Sequence, residues 1–558
     1  MDQGPVNPAV PPPAMPPVNP QPGQSASWKL RPEVAKLTQG LIVSGFSELP
    51  TGRALLLTIG DPTTPDLGGS AWLRTLANVA PVTSATPPEA KGGQQRATAL
   101  AFTASGLAKL GVSETALASF LTPFREGMLQ EDRLRRLGDR RKGWWAETVI
   151  TDGPVWSGNT AVKPRAPKPV KAYDVALAVN KDEIETALTV HAILLLYTPN
   201  DQTADDWTKE VTAKLLPHGV TVVRERGLDL TVEKAGYSRE HFGFADGLSQ
   251  PAPYDAAGAI LLDGKAVTTR DPVQGVPLGE VMLGYLNGHQ EIPPGPVVPG
   301  DIAGEPDTRP ADAGLLPHPQ AQGFYDFGLN GSYMVVRELK QDVAAFWASM
   351  DKNAAAIAKA DPADTGHITA DWLAERVIGR NKDGNLLCPG GTYMDPAPDG
   401  TPATDFLFLE RDGRGLGCPI GSHVRRANPR DTLAPSPDQG PTLLNAANNH
   451  RILRRGRKYG PKIADPRTDD GKDRGLLFMA LNTDIARQFE FVQQTWLLNA
   501  NFGTLYQEVD PLVGPKGRMT VPEDPLRRTL EVETFIKLAG GDYFFLPSLP
   551  ALNYLAML

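Results

Sequence analysis

The sequence predicts an α+β fold of two ferredoxin-like domains, antiparallel sheets with helices packed on their faces. Three observations carry this. Short β-branched and leucine-rich runs alternate with stretches whose apolar residues recur at helical spacing, in both halves of the chain. At 558 residues the chain is too long for one ordinary core. No Gly-x-Gly-x-x-Gly follows a strand-like run, which counts against a doubly wound dinucleotide fold.

Taken in order, residues 1–31 form a proline-rich tail whose Pro, Ala, Asn and Gln cannot bury enough surface to order it. An N-terminal domain over 32–240 and a C-terminal domain over 241–558 follow. In the first, 39–46 and 53–60 read as strands bounded by Gly and Pro, and 70–79 as a helix with Trp72, Leu73, Leu76 and Val79 on one face. The pattern at 105–120 reads as a helix ended by Pro123, the run 190–197 as a buried strand and 205–216 as a helix. Long Gly-, Pro- and Asp-rich loops at 264–323 should cover rather than build the core. Beyond them, 328–337 reads as a strand, 341–358 as a helix, 475–482 as a strand, and 484–497 as a helix capped by Thr483 or Asn482. The chain closes on an apolar strand at 541–550.

A net charge of -8 argues against a nucleic-acid surface, since phosphate contacts need clustered Lys and Arg. No stretch reaches the length of a membrane span, and no basic, apolar leader pattern opens the sequence. The expected location is cytoplasmic. Cys388 and Cys418 have no second Cys or His at ligand spacing, so they read as thiols of a reducing compartment.

Two segments are suited to chemistry. In Phe242-Gly-Phe-Ala-Asp246-Gly247, the glycines let backbone approach a bulky ligand while the phenylalanines dry the site around a carboxylate. The alternative is a plain Asp-Gly turn. In Cys418-Pro-Ile-Gly-Ser-His423-Val-Arg-Arg-Ala-Asn-Pro-Arg430, a histidine beside Arg425, Arg426 and Arg430 suits an imidazole on a haem iron with guanidinium groups meeting the propionates. A lone histidine is otherwise a satisfied core or surface residue. His241 is the rival for a catalytic role near Asp246; His191 lies in an apolar strand and reads as structural. The basic run 450–460 is either a solvated face or a strand that carries one arginine into the core.

With these segments go Leu453-Arg454-Arg-Gly, Asp484-Ile-Ala-Arg-Gln-Phe-Glu-Phe-Val-Gln493 and Asp510-Pro-Leu-Val-Gly514, and from about Pro32 to the C-terminus the chain resembles the dye-decolourising peroxidases. The resemblance implies haem b as cofactor, hydrogen peroxide and an organic reductant such as a dye or phenol as substrates, and a monomer or homodimer. It implies His423 as the iron ligand, Asp246 and Arg454 as the distal catalytic pair, and Phe478 as the apolar residue over the haem. Gly247, Arg425 and Arg426 would contact the cofactor, and Asp510 would accept from the imidazole. Arg455 is the alternative to Arg454, and Glu508 to Asp510. Trp144, Trp145, Trp496 and Tyr506 are candidates to pass electrons from large dyes. A haem carrier or sensor without turnover is the rival reading, though it has no need of an acid and a cation over the iron.

Overall fold

Among the described residues, eleven strands share one sheet. In chain order they are β1 (Thr51–Ile59), β2 (Ala97–Phe102), β3 (Trp156–Ser157), β4 (Leu188–Thr189), β5 (Ala192–Thr198), β6 (Val220–Asp229), β7 (Ser332–Gln341), β8 (Leu453–Arg454), β9 (Arg457–Tyr459), β10 (Gly475–Asn482) and β11 (Ile536–Leu546). They come from a computed structural model that describes residues 28–60, 69–89, 92–139, 155–158, 188–232, 237–255, 260–262, 264–268, 270–363 and 365–558.

The order of these strands contains the same pattern twice. Four lie as β6-β1-β5-β2 and four as β11-β7-β10-β9, each the fourth, first, third and second strand of its unit, all antiparallel. In the first unit a helix follows β1 (Ala71–Val79) and another follows β5 (Asp201–Leu215). In the second, Val343–Ala360 follows β7, and the helical turns Ala486–Glu490 and Val492–Leu497 follow β10. Each unit is thus a β-α-β-β-α-β ferredoxin-like arrangement. The units join at two narrow seams: Lys458 and Tyr459 of β9 pair with Asp229 and Leu228 of β6, and Phe545 of β11 pairs with Phe102 of β2. Because β7 also pairs with β11, those strands close into a ring.

Ring closure explains the continuous apolar runs, since both faces of the strands are covered. On β1, Leu55, Leu57 and Ile59 enter one core and Ala54 and Leu56 another; on β5, Leu194 and Leu196 separate from Ile193, Leu195 and Tyr197 in the same way. The two-residue side-chain period sorts each run between two cores.

Several expected elements differ. Residues 39–46 carry a short helix, Gly40–Val43, instead of a strand: Gln39 is fully buried, its amide bonds Leu100 and the Pro547 carbonyl, and Gly40 N donates to Thr83 O. A short apolar run looks the same whichever way it is folded. The pattern at 105–120 splits into Ala104–Lys109 and Glu114–Ala118 around Gly111, whose φ of 93° favours glycine. Pro123 sits in the first turn of the next helix, Thr122–Glu126, rather than ending the previous one. The expected helix at 484–497 is wound as two π-type turns, and its first free N–H groups go to side chains other than those expected. Asp484 Oδ1 accepts from Arg487 N, and Gln488 Oε1 accepts from Thr483 N. After β11 the chain ends on a helix, Leu549–Met557, capped by Ser548. Among the described residues, no helix is long and apolar enough to cross a membrane.

Candidate active site

Ser422 leads into a short helix, His423–Ala427, packed on the helical turn Val492–Leu497 and reaching the 505–514 loop. Residues three and four apart share a helix face, so His423, Val424 and Ala427 line an internal cavity while Arg425 and Arg426 point away from it. His423 keeps 27% of its side chain accessible, and the cavity is what it lines. Its Nδ1 lies 2.9 Å from Asp510 Oδ2, and Asp510 Oδ1 accepts from the N–H groups of Leu512 and Val513. Burial lowers the imidazole's proton affinity, the Asp510 carboxylate raises it more, and the net shift is upward. For Asp510, burial alone would raise the pKa; His423 and the loop N–H groups reverse that and hold it low. Glu508 is engaged elsewhere, accepting from Thr520 N and Oγ1. With Nδ1 committed to Asp510, Nε2 is the ring atom left to ligate.

The segment carrying Asp246 reaches the same cavity, which is also lined by Gly247, Arg454 and Phe478. Ser238–Arg239 and Ala245–Asp246 form a two-stranded hairpin, with Gly243 and Gly247 at φ of 100° and 80°. Such values are natural only to glycine, and a Cβ at Gly247 would meet nothing within 4 Å. Asp246 Oδ1 accepts from Gly247 N at 2.6 Å, while Oδ2 has no hydrogen-bond partner among the described residues. Arg454, at the end of β8, donates through Nη2 to Leu248 O and makes no ion pair among the described residues. The next residue faces the other way: Arg455 donates to the carbonyls of Leu41 and Ile42 and does not line the cavity. The charges of both Arg454 and Asp246 act on His423. Phe478, on β10, packs on Phe489 with ring centroids 6.1 Å apart.

Arg425 and Arg426 do not contact the cavity. Arg425 donates to the carbonyls of Asp412 and Cys418 and to Thr432, and Arg426 to the carbonyls of Trp496, Leu497, Asn499 and Glu508. They anchor the back of the helix that presents His423. The cationic wall is built instead by Arg380, Arg430, Arg451 and Arg454. Burial and mutual repulsion push Arg430 well down, Arg451 to about 9 and Arg380 to about 10. Arg380 Nη2 and Arg451 Nη1 are buried with no hydrogen-bond partner among the described residues. Facing buried guanidinium groups without carboxylates are costly unless an anion joins them. Arg380 lies outside the motifs visible in the sequence; Arg430 stands out by its nearness to His423, and Arg451 only as one member of the basic run 450–460.

The carboxyl of Glu240, which shares the wall with Asp246, was also missed. Glu240 accepts from Phe242 N and Phe244 N, each at 2.8 Å, and from Gln341 Nε2 at 2.7 Å. Loss of solvent pushes it up to about 7 against those donors, and the nearby Asp246 charge adds to the rise. His241 is turned away, its Nε2 2.8 Å from Tyr459 O. Trp496 is buried rather than at the surface, Tyr506 is 74% exposed, and Trp144 and Trp145 lie outside the described residues.

His423 backed by Asp510, the Asp246 carboxyl and the Arg454 guanidinium thus meet at one cavity, beside arginines that form no ion pair among the described residues, an arrangement suited to an anionic ligand. No family model matches the chain. A multifunctional dye peroxidase from an Amycolatopsis species is 30% identical over 397 residues, 68% of this chain and 74% of that one. A dye-decolorizing peroxidase from Mycena epipterygia is 26% identical over 407 residues, 66% of each chain. Dye-decolorizing peroxidase msp1 from Mycetinis scorodonius is 30% identical over 337 residues, and this chain spans 56% of its length. A solved DyP-type peroxidase from Anabaena sp. superimposes with a TM-score of 0.64 at 21% identity, covering 94% of this chain and 95% of that one. A fungal one from Auricularia auricula-judae gives 0.63 at 21%, covering 94% and 99%. The chain belongs to the dye-decolourising peroxidase family, and its fold is the two-domain, ferredoxin-like α+β fold of those structures.

Proposed function

We propose that the protein is a haem peroxidase that reduces hydrogen peroxide and oxidises dyes, phenols or related organic reductants. The observation that carries this is the convergence of His423, with its Asp510 partner, and of Asp246 and Arg454 on one cavity. The residues fit a haem. Nε2 of His423 is available, Phe478 and Val424 offer apolar surface, and the unpartnered nitrogens of Arg380 and Arg451 with Arg430 suit two propionates. Among the described residues no cluster of three or more His, Cys, Asp or Glu could hold a metal ion alone, so an iron at His423 would bring most of its own ligands. Neither cysteine stands in a Cys-x-x-Cys-His pattern, which favours haem b held without a covalent link.

Bound haem would supply the electrons that reduce peroxide and the oxidising equivalents later passed to the organic reductant. The protein's part is to place protons and charge. Asp246 takes the proton from one oxygen of hydrogen peroxide and delivers it to the other, which leaves as water. Arg454 stabilises the negative charge that develops as the O–O bond breaks. Asp510 accepts from His423 Nδ1, fixing the ring's orientation and raising its basicity. A carrier or sensor would gain nothing from the Asp246 and Arg454 pair.

The division at 240/241 is part of this proposal, supported by the repeated strand order, with the haem held mainly by residues after it. A cytoplasmic location is also proposed, supported by two free cysteines among the described residues.

Separate Asp246→Asn and Arg454→Leu variants test the distal assignment by stopped-flow absorbance after peroxide addition. At least one should slow the reaction by about 100-fold or more, the usual contribution of a positioned acid or charge. If both react like the parent, the assignment is wrong.

A further inference from the structure

The loop that delivers Asp246 to the cavity closes around one carboxylate. Glu240 N donates to Phe244 O at 3.1 Å, and Gly243 N donates to Glu240 O at 3.0 Å, so 240–244 is a closed turn. Into that turn Glu240 folds its own side chain: Oε1 takes Phe244 N and Oε2 takes Phe242 N. These are the two loop N–H groups on either side of Gly243. The phenylalanine rings leave the turn in the opposite sense and lock it from behind, Phe242 on Phe346 with centroids 4.5 Å apart and Phe244 beside Trp347 at 6.5 Å. Gln341, the last residue of β7, donates to Glu240 Oε2 and ties the turn to the central sheet. Asp246 lies two residues beyond the second of these bonds, in a hairpin strand of only two residues, Ala245–Asp246.

We propose that Glu240 is the positioning residue for Asp246. Its carboxylate, held by β7 through Gln341, sets the backbone of 242–244 and thereby the place of the Asp246 carboxyl in the cavity. An uncharged amide at 240 offers one acceptor oxygen where two N–H groups and the Gln341 amide now converge, so at least one loop N–H must lose its partner. The loop then relaxes by a distance that matters for proton transfer, which requires hydrogen-bond reach of the peroxide oxygens. Other parts of the cavity, including the His423 and Asp510 pair, do not depend on this turn.

The inference rests on the reading of Asp246 as the proton carrier, and a double-mutant cycle on the haem-loaded, full-length protein separates the two. The rate of reaction with hydrogen peroxide is measured for the parent, Glu240→Gln, Asp246→Asn and the double variant, alongside the KM for a dye. Glu240→Gln should slow the peroxide reaction by about 10-fold with the carboxylate of Asp246 present and by less than about twofold in the Asp246→Asn background, with KM for the dye unchanged. Hydrogen exchange followed by mass spectrometry should show the 241–247 segment exchanging at least about 10-fold faster in Glu240→Gln and unchanged elsewhere. Gln341→Leu, which leaves the carboxylate but removes its tie to β7, should give a smaller loss with the same dependence on Asp246 and covers the case in which Glu240→Gln fails to fold. Equal losses in both backgrounds, or a parent-like rate and exchange in Glu240→Gln, would overturn the role of Glu240. A parent-like rate in Asp246→Asn alone would instead remove the role of Asp246, and the positioning role with it.

Discussion

At His191, burial decides a charge state. Its Nδ1 accepts from Ile59 N at 2.8 Å, which requires that nitrogen to be unprotonated, and burial with the nearby Lys109 charge lowers the pKa from 6.5 to about 4. A histidine whose folded pKa is depressed binds its proton preferentially in the unfolded chain. Its stabilising effect is therefore complete above pH 6.5 and is lost as pH falls toward 4, amounting to about 3 kcal/mol across that window. Urea unfolding at several pH values should show this slope in the parent and lose most of it in His191→Asn, whose Oδ1 can still accept from Ile59. An unchanged slope would show that other groups account for the acid lability. His191 is legible as a buried residue because it lies inside an apolar run; the structure sets it just ahead of β5, and its tautomer becomes apparent only with Ile59 beside it. Arg425 and Arg426 show the opposite case. Their adjacency to His423 suggested cofactor contacts, yet a helix turns adjacent residues by about 100° and sends them to the other side.

Elements carry the consequence of that rotation. Arg426 collects the carbonyls of Trp496, Leu497, Asn499 and Glu508, the free ends of the helical turns after β10 and of the loop leading to Asp510. One buried guanidinium thus joins the helix of His423, the proposed iron ligand, to the loop of its carboxylate partner Asp510. Arg426→Ala leaves those carbonyls without their donor and should destabilise the protein by on the order of 3 kcal/mol. It should also weaken haem retention, measured by transfer of haem to excess apomyoglobin; parent-like retention and thermal stability would contradict the anchoring role. Arg457 has a similar part at the seam, donating to the carbonyls of Gly45, Phe46, Leu49 and Pro50. Those four carbonyls account for a buried arginine within the basic run 450–460. Strands with continuous apolar runs, such as β5 and β10, could be placed from sequence because period and length agree. The run 39–46, equal in length but interrupted by Gly40 and Gly45, could not: it holds a helix because Gln39 is claimed by distant backbone at Leu100 and Pro547. Arg430 and the run that holds Arg451 stood out in the sequence, but the wall itself did not, since Arg380, Arg430 and Arg451 meet only after the 380–406 and 430–451 segments fold together.

For the whole molecule, two ferredoxin-like units close one ring of strands, and residues from distant parts of the chain reach one cavity from different directions. His423 and Asp246 are 177 residues apart by their numbering, so their meeting depends on the fold rather than on any local motif. The central claim, that this cavity holds haem through His423, is tested most directly by the absorption spectrum of the purified protein reconstituted with haem, compared with His423→Ala. The parent should bind one haem per chain with a Soret band that changes on peroxide addition, and the variant should lose haem or display a shifted band. An unchanged spectrum in His423→Ala, or no haem bound by the parent, would contradict it.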